Sequence, residues 1–276
     1  MIKSIHWYII LAFVLLGVMF GCAKQPYSSS NKIYRQQTKK FAKTLQANPG
    51  LPVSDSIQQP KHWVGTTNFN LRKPHFVILH HTAQENCNQT LNTFTSSKRE
   101  VSAHYVICKE GTVYHILNDY LRAWHAGVSR WGQVEDINSV SIGIELDNNG
   151  SEPFPSAQID ALLALLNKLK SMYNIPTGNF IGHADIAPSR KQDPGILFPW
   201  ELLAKQGFGY WYGDTSKVNV PKDFNGEYAL KMIGYDMKNP ASARVAFRRH
   251  FLSATINEVF SNAELKVLYL IWQKYY

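Results

Sequence analysis

The sequence GHADIAPSRKQDPG carries an imidazole, His183, and ten positions later a carboxylate, Asp193. Upstream, the apolar run FVILHHTA ends in the pair His80 and His81, and SIGIELDN contains Glu145. Two imidazoles and one carboxylate make a nitrogen and oxygen ligand set that suits zinc, and three protein ligands leave the fourth tetrahedral position for water. These residue types therefore predict a metal site that hydrolyses bonds.

No single one of these residues decides the chemistry. A lone histidine is more often a hydrogen-bonded core or surface residue than a ligand, and the separation of His80 from His183 matches no compact zinc signature such as HExxH. Read alone, Glu145 is also compatible with an edge-strand carboxylate, and Lys191 with a solvated loop lysine. A GxSxG sequence is absent and the three cysteines lack the surroundings of a thiol nucleophile, so covalent acyl-enzyme chemistry is disfavoured.

Short apolar segments alternate with amphipathic ones between about residues 63 and 211, and this alternation predicts an α/β fold. Helices are expected over 89–97 and from Ser156, taken as the N-cap, to Tyr173, where Asn174 and Pro176 end the pattern. The predicted strands are 76–81, 104–108, 112–116, 141–147 and 180–182, the second and third being joined by the turn Lys109-Glu110-Gly111. The candidate ligands thus lie at strand ends or in the loop beyond the last strand.

After about residue 214 only helical patterns occur, at 225–235, 240–254 and 263–275. Ser261, with Glu264 three positions later, forms a capping box before the last of them. The pattern predicts a small C-terminal three-helix bundle whose aromatic stripe forms its own core rather than a ligand face. Arg248 and Arg249, with nearby Arg244, are either a glycan-binding basic group or a solvated face.

The amino terminus has the features of a leader. Residues 1–21 begin with Lys3, continue as an apolar run of fifteen residues and end directly before Cys22. Because a transmembrane helix needs about 20 residues, the run predicts a cleaved signal peptide, with a short membrane anchor as the alternative. The junction resembles the lipobox of bacterial lipoproteins, although Met19 and Phe20 stand where Leu and a small residue are usual. Lipidation of Cys22, with Ala23 after it, predicts attachment to the outer membrane, facing the periplasm.

Composition excludes global disorder, since 45% of the 276 residues are hydrophobic and 18% are charged. The formal charge of +9 becomes 9 − 1 = +8 once the leader with its one lysine is removed, which favours an anionic partner such as acidic lipid or a cell-wall polymer. Nucleic acid is not expected, because no Arg-rich helix, Cys/His finger or stacking motif is present. Cys87 and Cys108 either form a disulfide or remain two buried thiols.

Five segments, FVILHHTA, VSAHYVI, AWHAG, SIGIELDN and GHADIAPSRKQDPG, occur in this order and together resemble the N-acetylmuramoyl-L-alanine amidases of the type-2 amidase family. That family also includes phage T7 lysozyme and the peptidoglycan recognition proteins. The resemblance covers about residues 68–211, and with the LFPW that follows it is closest to the outer-membrane lipoprotein branch. It implies a mixed central β-sheet flanked by helices, followed by peptidoglycan-binding-like helices.

The predicted organisation has four parts. Residues 1–21 are the lipoprotein signal peptide, and 22–60 are a polar spacer that lacks sustained periodicity except near residues 34–45. Residues 61–214 are the zinc amidase catalytic domain, and 215–276 are a helical peptidoglycan-binding-like domain.

The same resemblance assigns roles to the candidate residues. It implies one Zn²⁺ per chain, bound by His80, His183 and Asp193. Glu145 matches the family's catalytic glutamate, which orients the attacking water and carries its proton to the leaving amine. Lys191 matches the position beside the third ligand, where an ammonium stabilises the tetrahedral oxyanion.

Three further histidines are weaker candidates. His125, in AWHAG, is expected to line the groove and contact substrate. His104, in SAHY, is expected to support the sheet as a hydrogen-bonded core residue. His81 is not expected to bind the metal, because the family's ligand is the first residue after the apolar strand.

The predicted function is hydrolysis of the amide between N-acetylmuramic or anhydro-muramic acid and the L-alanine of peptidoglycan stem peptides, in cell-wall turnover and recycling. The expected partners are peptidoglycan or muropeptide and, through Cys22, the membrane, with the chain acting as a monomer. One alternative is a receptor of the same fold that binds peptidoglycan without cutting it. Another is a lysin or a cytosolic recycling amidase, against which the leader argues.

Overall fold

The computed structural model describes residues 26–46, 66–256 and 259–276. The predicted leader, the lipidation site Cys22 and much of the predicted spacer lie outside these residues. Contacts between Cα atoms divide the chain into a first unit that ends at Asn68 and a second unit, Phe69–Tyr276.

The described part of the first unit is one helix, α1 (Ser28–Gln46), of 19 residues with no buried side chain. It extends the weak periodicity seen near residues 34–45 in both directions. Its many Lys, Gln and Arg residues favour a helix because straight side chains lose little rotamer freedom there. Within the described ranges, none of the helices combines the length and apolar character needed to cross a membrane.

The second unit is built on a five-stranded sheet with the order β3-β2-β4-β1-β5. Strands β1, β4 and β5 run parallel, β2 is parallel to β4, and β2 and β3 form an antiparallel hairpin. The mixed central sheet expected from the sequence is therefore confirmed. The strands are β1 (Phe76–His81), β2 (Tyr105–Ile107), β3 (Val113–His115), β4 (Ser141–Leu146) and β5 (Phe180–Gly182).

Eight helices of the second unit flank this sheet in the described residues. They are α2 (Cys87–Thr95), α3 (Ile137–Val140), α4 (Ser156–Tyr173), α5 (His183–Ile186), α6 (Trp200–Lys205), α7 (Gly226–Ile233), α8 (Pro240–Phe251) and α9 (Asn262–Trp272). One prediction about their ends is wrong. Ser156 is the first helical residue of α4 rather than its N-cap; Pro155 occupies the cap position in an extended conformation, without a side-chain capping bond.

The long helix α4 covers one face of the sheet. Alternate residues of the strands, such as Leu79 and Ile144, are buried in one cluster with the stripe Leu162, Leu166 and Leu169 of the helix. Neighbouring strand residues such as Ile78 point to the opposite face, because side chains alternate along a strand. Both faces of β1 and β4 are thus covered, which explains why these strands are almost continuously apolar.

The opposite face is covered by the C-terminal helices. Strand residues Ile78 and Ile181 are buried in a single cluster with Leu230 of α7, Phe247 of α8 and Leu268 of α9. The three predicted helices are present, but their buried side chains share this apolar core with the sheet. The structure therefore does not confirm a separate bundle, and the boundary near residue 214 stays a prediction.

A disulfide joins Cys87, the first residue of α2, to Cys108, the residue after β2, with the two Cα atoms 5.4 Å apart. The sequence left open whether these cysteines form a bridge or remain two buried thiols. The structure has the bridge, which fixes α2 against the adjoining strand of the sheet.

Of the two alternatives for the basic group, the solvated face does not apply to Arg248 and Arg249, whose side chains are buried. Arg248 is 2% exposed and binds Glu264 through two contacts, Nε to Oε1 at 2.6 Å and Nη2 to Oε2 at 3.1 Å. Glu264 also accepts a hydrogen bond from the Ser261 backbone N–H, which confirms the predicted capping box. One carboxylate therefore both caps α9 and neutralises a cation buried on α8.

Replacing Glu264 by Gln tests this pair. Hydrogen bonding to Arg248 holds the pKa of Glu264 at about 2, below its ordinary value of 4.5. Because the folded-state pKa is the lower one, the stabilisation is present above about pH 4.5 and is lost as the pH falls towards 2. We expect Glu264→Gln to lower the free energy of unfolding at pH 7 by about 3 kcal/mol in urea titrations, and by much less near pH 2.

The control for this prediction is Glu227→Gln. Glu227 pairs with Arg244 at 2.6 Å, but its side chain is 53% exposed, so its loss is expected to cost less than about 1 kcal/mol. Gln at position 264 still serves a capping box, so the difference between the two variants isolates the buried charge. Equal losses in both variants would contradict the prediction.

Candidate metal centre

The three predicted ligands converge at the carboxyl ends of the parallel strands β1 and β5. His80 lies near the end of β1 and His183 directly follows β5, and the parallel pairing of Leu79 with Gly182 brings these strand ends together. His80 Nδ1 lies 2.9 Å from His183 Nδ1 and 3.0 Å from Asp193 Oδ2. His183 Nδ1 lies 3.0 Å from the same carboxylate oxygen. The three side chains form a group that can hold a metal ion.

The contact made by Nε2 of His183, the nitrogen that faces away from the ligand group, determines which ring nitrogen carries the hydrogen. His183 Nε2 lies 3.1 Å from the backbone oxygen of Ala126, and a carbonyl only accepts, so this nitrogen carries the hydrogen. In the neutral ring, Nδ1 therefore turns a lone pair towards the carboxylate of Asp193. Burial, together with repulsion from His183, lowers the pKa of His80 to about 4, so His80 is neutral near pH 7.

This concentration of lone pairs fits a cation. Three acceptor atoms about 3 Å apart repel one another unless a positive charge lies between them. Their spacing is close to the roughly 3.3 Å between ligand atoms around a tetrahedral zinc ion with bonds of about 2.0 Å. The donor set therefore fits zinc in charge and in size.

Glu145 lies beside the ligand group. It is the register partner of His80 on the neighbouring strand, so both side chains leave the same face of the sheet. The strand that carries it, β4, is the middle strand of the five, so the edge-strand interpretation is wrong. Burial raises the pKa of Glu145 well above 4.5, the negative charge of Asp193 adds to this effect, and the ammonium of Lys191 opposes it.

Lys191 lies in the loop between α5 and Asp193 and is only partly exposed. Its positive charge is near enough to lower the pKa values of both His80 and Glu145. Its backbone N–H is held by the Ala187 oxygen at 2.9 Å, which anchors the start of this loop to the end of α5.

His81 holds the third ligand in place, a role that the sequence did not indicate. Its Nδ1 donates to the backbone oxygen of Pro194 at 2.9 Å. The Ala184 N–H donates to the backbone oxygen of Asp193, also at 2.9 Å. The ring lies against Gly150, where a Cβ would approach the imidazole to 2.7 Å. His81 is therefore outside the ligand set, as expected, but it supports the ligand loop.

Asp185 is a second residue that the sequence analysis missed. It is buried two positions after His183 and accepts hydrogen bonds from the Gly182 N–H at 2.7 Å, the Tyr235 hydroxyl at 2.9 Å and His250 Nδ1 at 2.8 Å. The last two partners come from the C-terminal region. That region therefore contacts the segment that presents the second imidazole.

The other two candidate histidines, His104 and His125, lie behind the site. His104 is fully buried; its Nδ1 accepts from the Gly143 N–H and its Nε2 donates to the Leu121 oxygen, in agreement with the expected core role. His125 is 8% exposed, and its Nδ1 lies 3.0 Å from His80 Nε2. The structure thus places His125 against the outer nitrogen of a ligand, while its expected contact with substrate stays a prediction.

Zinc binding is testable through stability. A ligand that binds only the folded chain raises the free energy of unfolding by about 4 kcal/mol when its concentration is about 1,000 times Kd. We expect this increase in metal-free protein titrated with Zn²⁺ and followed by thermal unfolding. His183→Ala, which removes one of the three donors, should abolish it.

His75→Ala is the matched control, because His75 is an exposed histidine just before β1. This variant should keep the full zinc-dependent increase. If zinc stabilised His183→Ala as much as the wild type, the three residues would not be the binding site.

Comparison with known proteins shows that this chain is similar to N-acetylmuramoyl-L-alanine amidases. The family model described as N-acetylmuramoyl-L-alanine amidase matches residues 70–196. The N-acetylmuramoyl-L-alanine amidase AmiD of Escherichia coli is 35% identical over 213 residues, which cover 66% of this chain and 76% of AmiD. The 1,6-anhydro-N-acetylmuramyl-L-alanine amidase AmpD of Haemophilus influenzae is 43% identical over 102 residues, which cover 37% of this chain and 55% of AmpD.

Among solved structures, one similar fold is that of E. coli AmiD in complex with the substrate anhydro-N-acetylmuramic acid-L-Ala-D-γ-Glu-L-Lys. The TM-score is 0.65 at 29% sequence identity, and the match covers 81% of this chain and 97% of the AmiD chain. The similarity therefore extends well beyond the residues that the family model matches.

Proposed function

This chain belongs to the N-acetylmuramoyl-L-alanine amidase family, and we propose that it is a zinc-dependent hydrolase of the amide between muramic acid and L-alanine in peptidoglycan. The observation that carries the proposal is the convergence of His80, His183 and Asp193 within 3.0 Å of one another. The buried carboxylate of Glu145 in register with His80 supplies the proton-transfer group that such a hydrolase needs.

Each group of the site has one task in this proposal. When bound to the three ligands, zinc supplies Lewis-acid polarisation of an amide carbonyl and activation of water at neutral pH. Glu145 takes a proton from the attacking water and delivers it to the leaving amine. Lys191 stabilises the negative charge that develops on the carbonyl oxygen.

The substrate assignment rests on the relatives. AmiD has been seen with an anhydro-muramic acid tripeptide, and AmpD is described as a 1,6-anhydro-N-acetylmuramyl-L-alanine amidase. We therefore assign anhydro-muropeptides and N-acetylmuramyl peptides as the substrates of this chain. The products are the sugar and a free peptide that begins with L-alanine, which places the reaction in cell-wall turnover.

Mass spectrometry of digested muropeptides tests the assignment. Zinc-loaded wild type should release peptides with a free L-alanine amino terminus, and a chelator should stop the release until zinc is restored. Glu145→Ala should keep its zinc but lose about 10²–10⁴-fold in turnover, whereas His183→Ala should lose both zinc and activity.

Glu201→Ala is the control for the glutamate variant, because Glu201 lies on α6 and forms an exposed pair with Lys205. It should turn over at the wild-type rate. A fully active Glu145→Ala would remove that carboxylate from the mechanism. Zinc-loaded wild type that bound muropeptide without releasing peptide would instead indicate the receptor function.

We also propose that the mature protein is attached through lipid on Cys22 to the outer membrane, facing the periplasm. The charged start, the apolar run and the cysteine at the junction support this location. The disulfide between Cys87 and Cys108 supports an oxidising compartment.

Metabolic labelling tests the anchor. Labelled palmitate should enter the wild-type protein and be absent from Cys22→Ala, which should also move from the membrane fraction to the soluble fraction. Incorporation in both proteins would contradict attachment at this cysteine.

A further inference from the structure

We propose that His125 is a positioning residue of the metal centre, which holds the His80 ring with its Nε2 protonated so that Nδ1 presents a lone pair to the ion. The inference rests on the proposed role of His80 as a metal ligand. It assigns His125 a role different from the substrate contact that its sequence context suggested.

A chain of hydrogen bonds with a definite direction carries the inference. Ser141 Oγ lies 2.6 Å from the backbone oxygen of Ile137, so the hydroxyl hydrogen is donated to that carbonyl. The same oxygen lies 3.1 Å from His125 Nε2, and having used its hydrogen it can only accept. His125 therefore carries its hydrogen on Nε2.

The second half of the chain follows from the first. In a neutral imidazole that carries its hydrogen on Nε2, the other nitrogen, Nδ1, is an acceptor. His125 Nδ1 lies 3.0 Å from His80 Nε2, and His80 must then donate from Nε2. Because the Ile137 carbonyl sets the direction of this chain of hydrogen bonds, His80 Nδ1 keeps a lone pair. That nitrogen lies 3.0 Å from Asp193 Oδ2.

The surroundings of His125 are shaped to hold its ring in this position. The side-chain oxygen of Asn138 accepts the backbone N–H groups of His125 at 3.1 Å and Ala126 at 2.9 Å. Beneath the ring lies Gly143, where a Cβ would approach His125 Cγ to 2.4 Å. A side chain on β4 at this point would therefore displace the imidazole.

The same short segment supports both imidazoles. His125 contacts the outer nitrogen of His80, and the next residue, Ala126, accepts from the outer nitrogen of His183 at 3.1 Å. Arg190 Nη2 donates to that same Ala126 oxygen at 2.7 Å and to the Val128 oxygen at 2.8 Å. The outer nitrogens of both candidate histidine ligands are thus held by consecutive residues of one fixed loop, as is usual for metal-binding histidines.

The first test measures zinc affinity by competition with a chromophoric chelator. Losing a partner of a ligating histidine typically weakens metal binding by about 10–100-fold, and we expect a loss of this size for His125→Leu. His125→Asn can place an amide oxygen near the position of Nδ1 and should recover part of the affinity. His75→Leu, at an exposed position before β1, should bind zinc as the wild type does.

The second test reads the His80 ring directly in metal-free protein by nitrogen-15 NMR. We expect the wild type to hold His80 as the Nε2–H form, and His125→Leu to give a mixture of the two neutral forms. A purely structural role for His125 would lower stability without changing this signature.

Ser141→Ala is the second variant, because it removes one buried oxygen and leaves both rings intact. It should also mix the His80 forms, since His125 loses the acceptor that sets its direction. Wild-type zinc affinity together with an unchanged Nε2–H signature in the folded His125 and Ser141 variants would overturn the inference. Failure of the wild type to bind zinc would instead overturn the proposed function.

Discussion

The active site depends on the pairing of parallel strands in one register. Because β1 pairs with β4, His80 and Glu145 lie side by side on the same face of the sheet. Because β1 also pairs with β5, His183, which follows β5, lies at the same end of the strands. A slip of one residue in any of these pairings would turn a side chain to the other face. The apolar residues between them, buried on both faces, hold the register, so the packing of the core fixes the geometry of the chemistry.

This arrangement buries groups that repel one another, which is energetically unfavourable. Two imidazole nitrogens and the oxygen of Asp193 meet within 3.0 Å, and the carboxylate of Glu145 lies beside them. The surrounding chain offsets this cost with fixed partners: a carbonyl for His183, an imidazole for His80 and a donor from His81 for the ligand loop. Groups held in this way are organised in advance, as an efficient catalytic site requires.

Much of the candidate site could be predicted from the sequence, because five ordered motifs resemble those of the amidase family and the apolar strand patterns place His80, Glu145 and His183 at or near strand ends. The supporting partners could not. Asp185 and Arg248 lie inside the protein because residues distant in sequence, Tyr235, His250 and Glu264, supply their hydrogen bonds. A one-dimensional pattern does not contain such pairings, so the sequence indicated only glycan binding or solvation for Arg248 and no role for Asp185. For the same reason it treated the last helices as an independent bundle.

The shared core of sheet and C-terminal helices bears on how such a chain can evolve. Removing the helices would expose Ile78 and Ile181 and leave Asp185 without two of its three partners. Gene fusion that transferred only the residues before about 214 would therefore divide one hydrophobic core. Recombination that preserves this core must therefore carry the sheet and the C-terminal helices together.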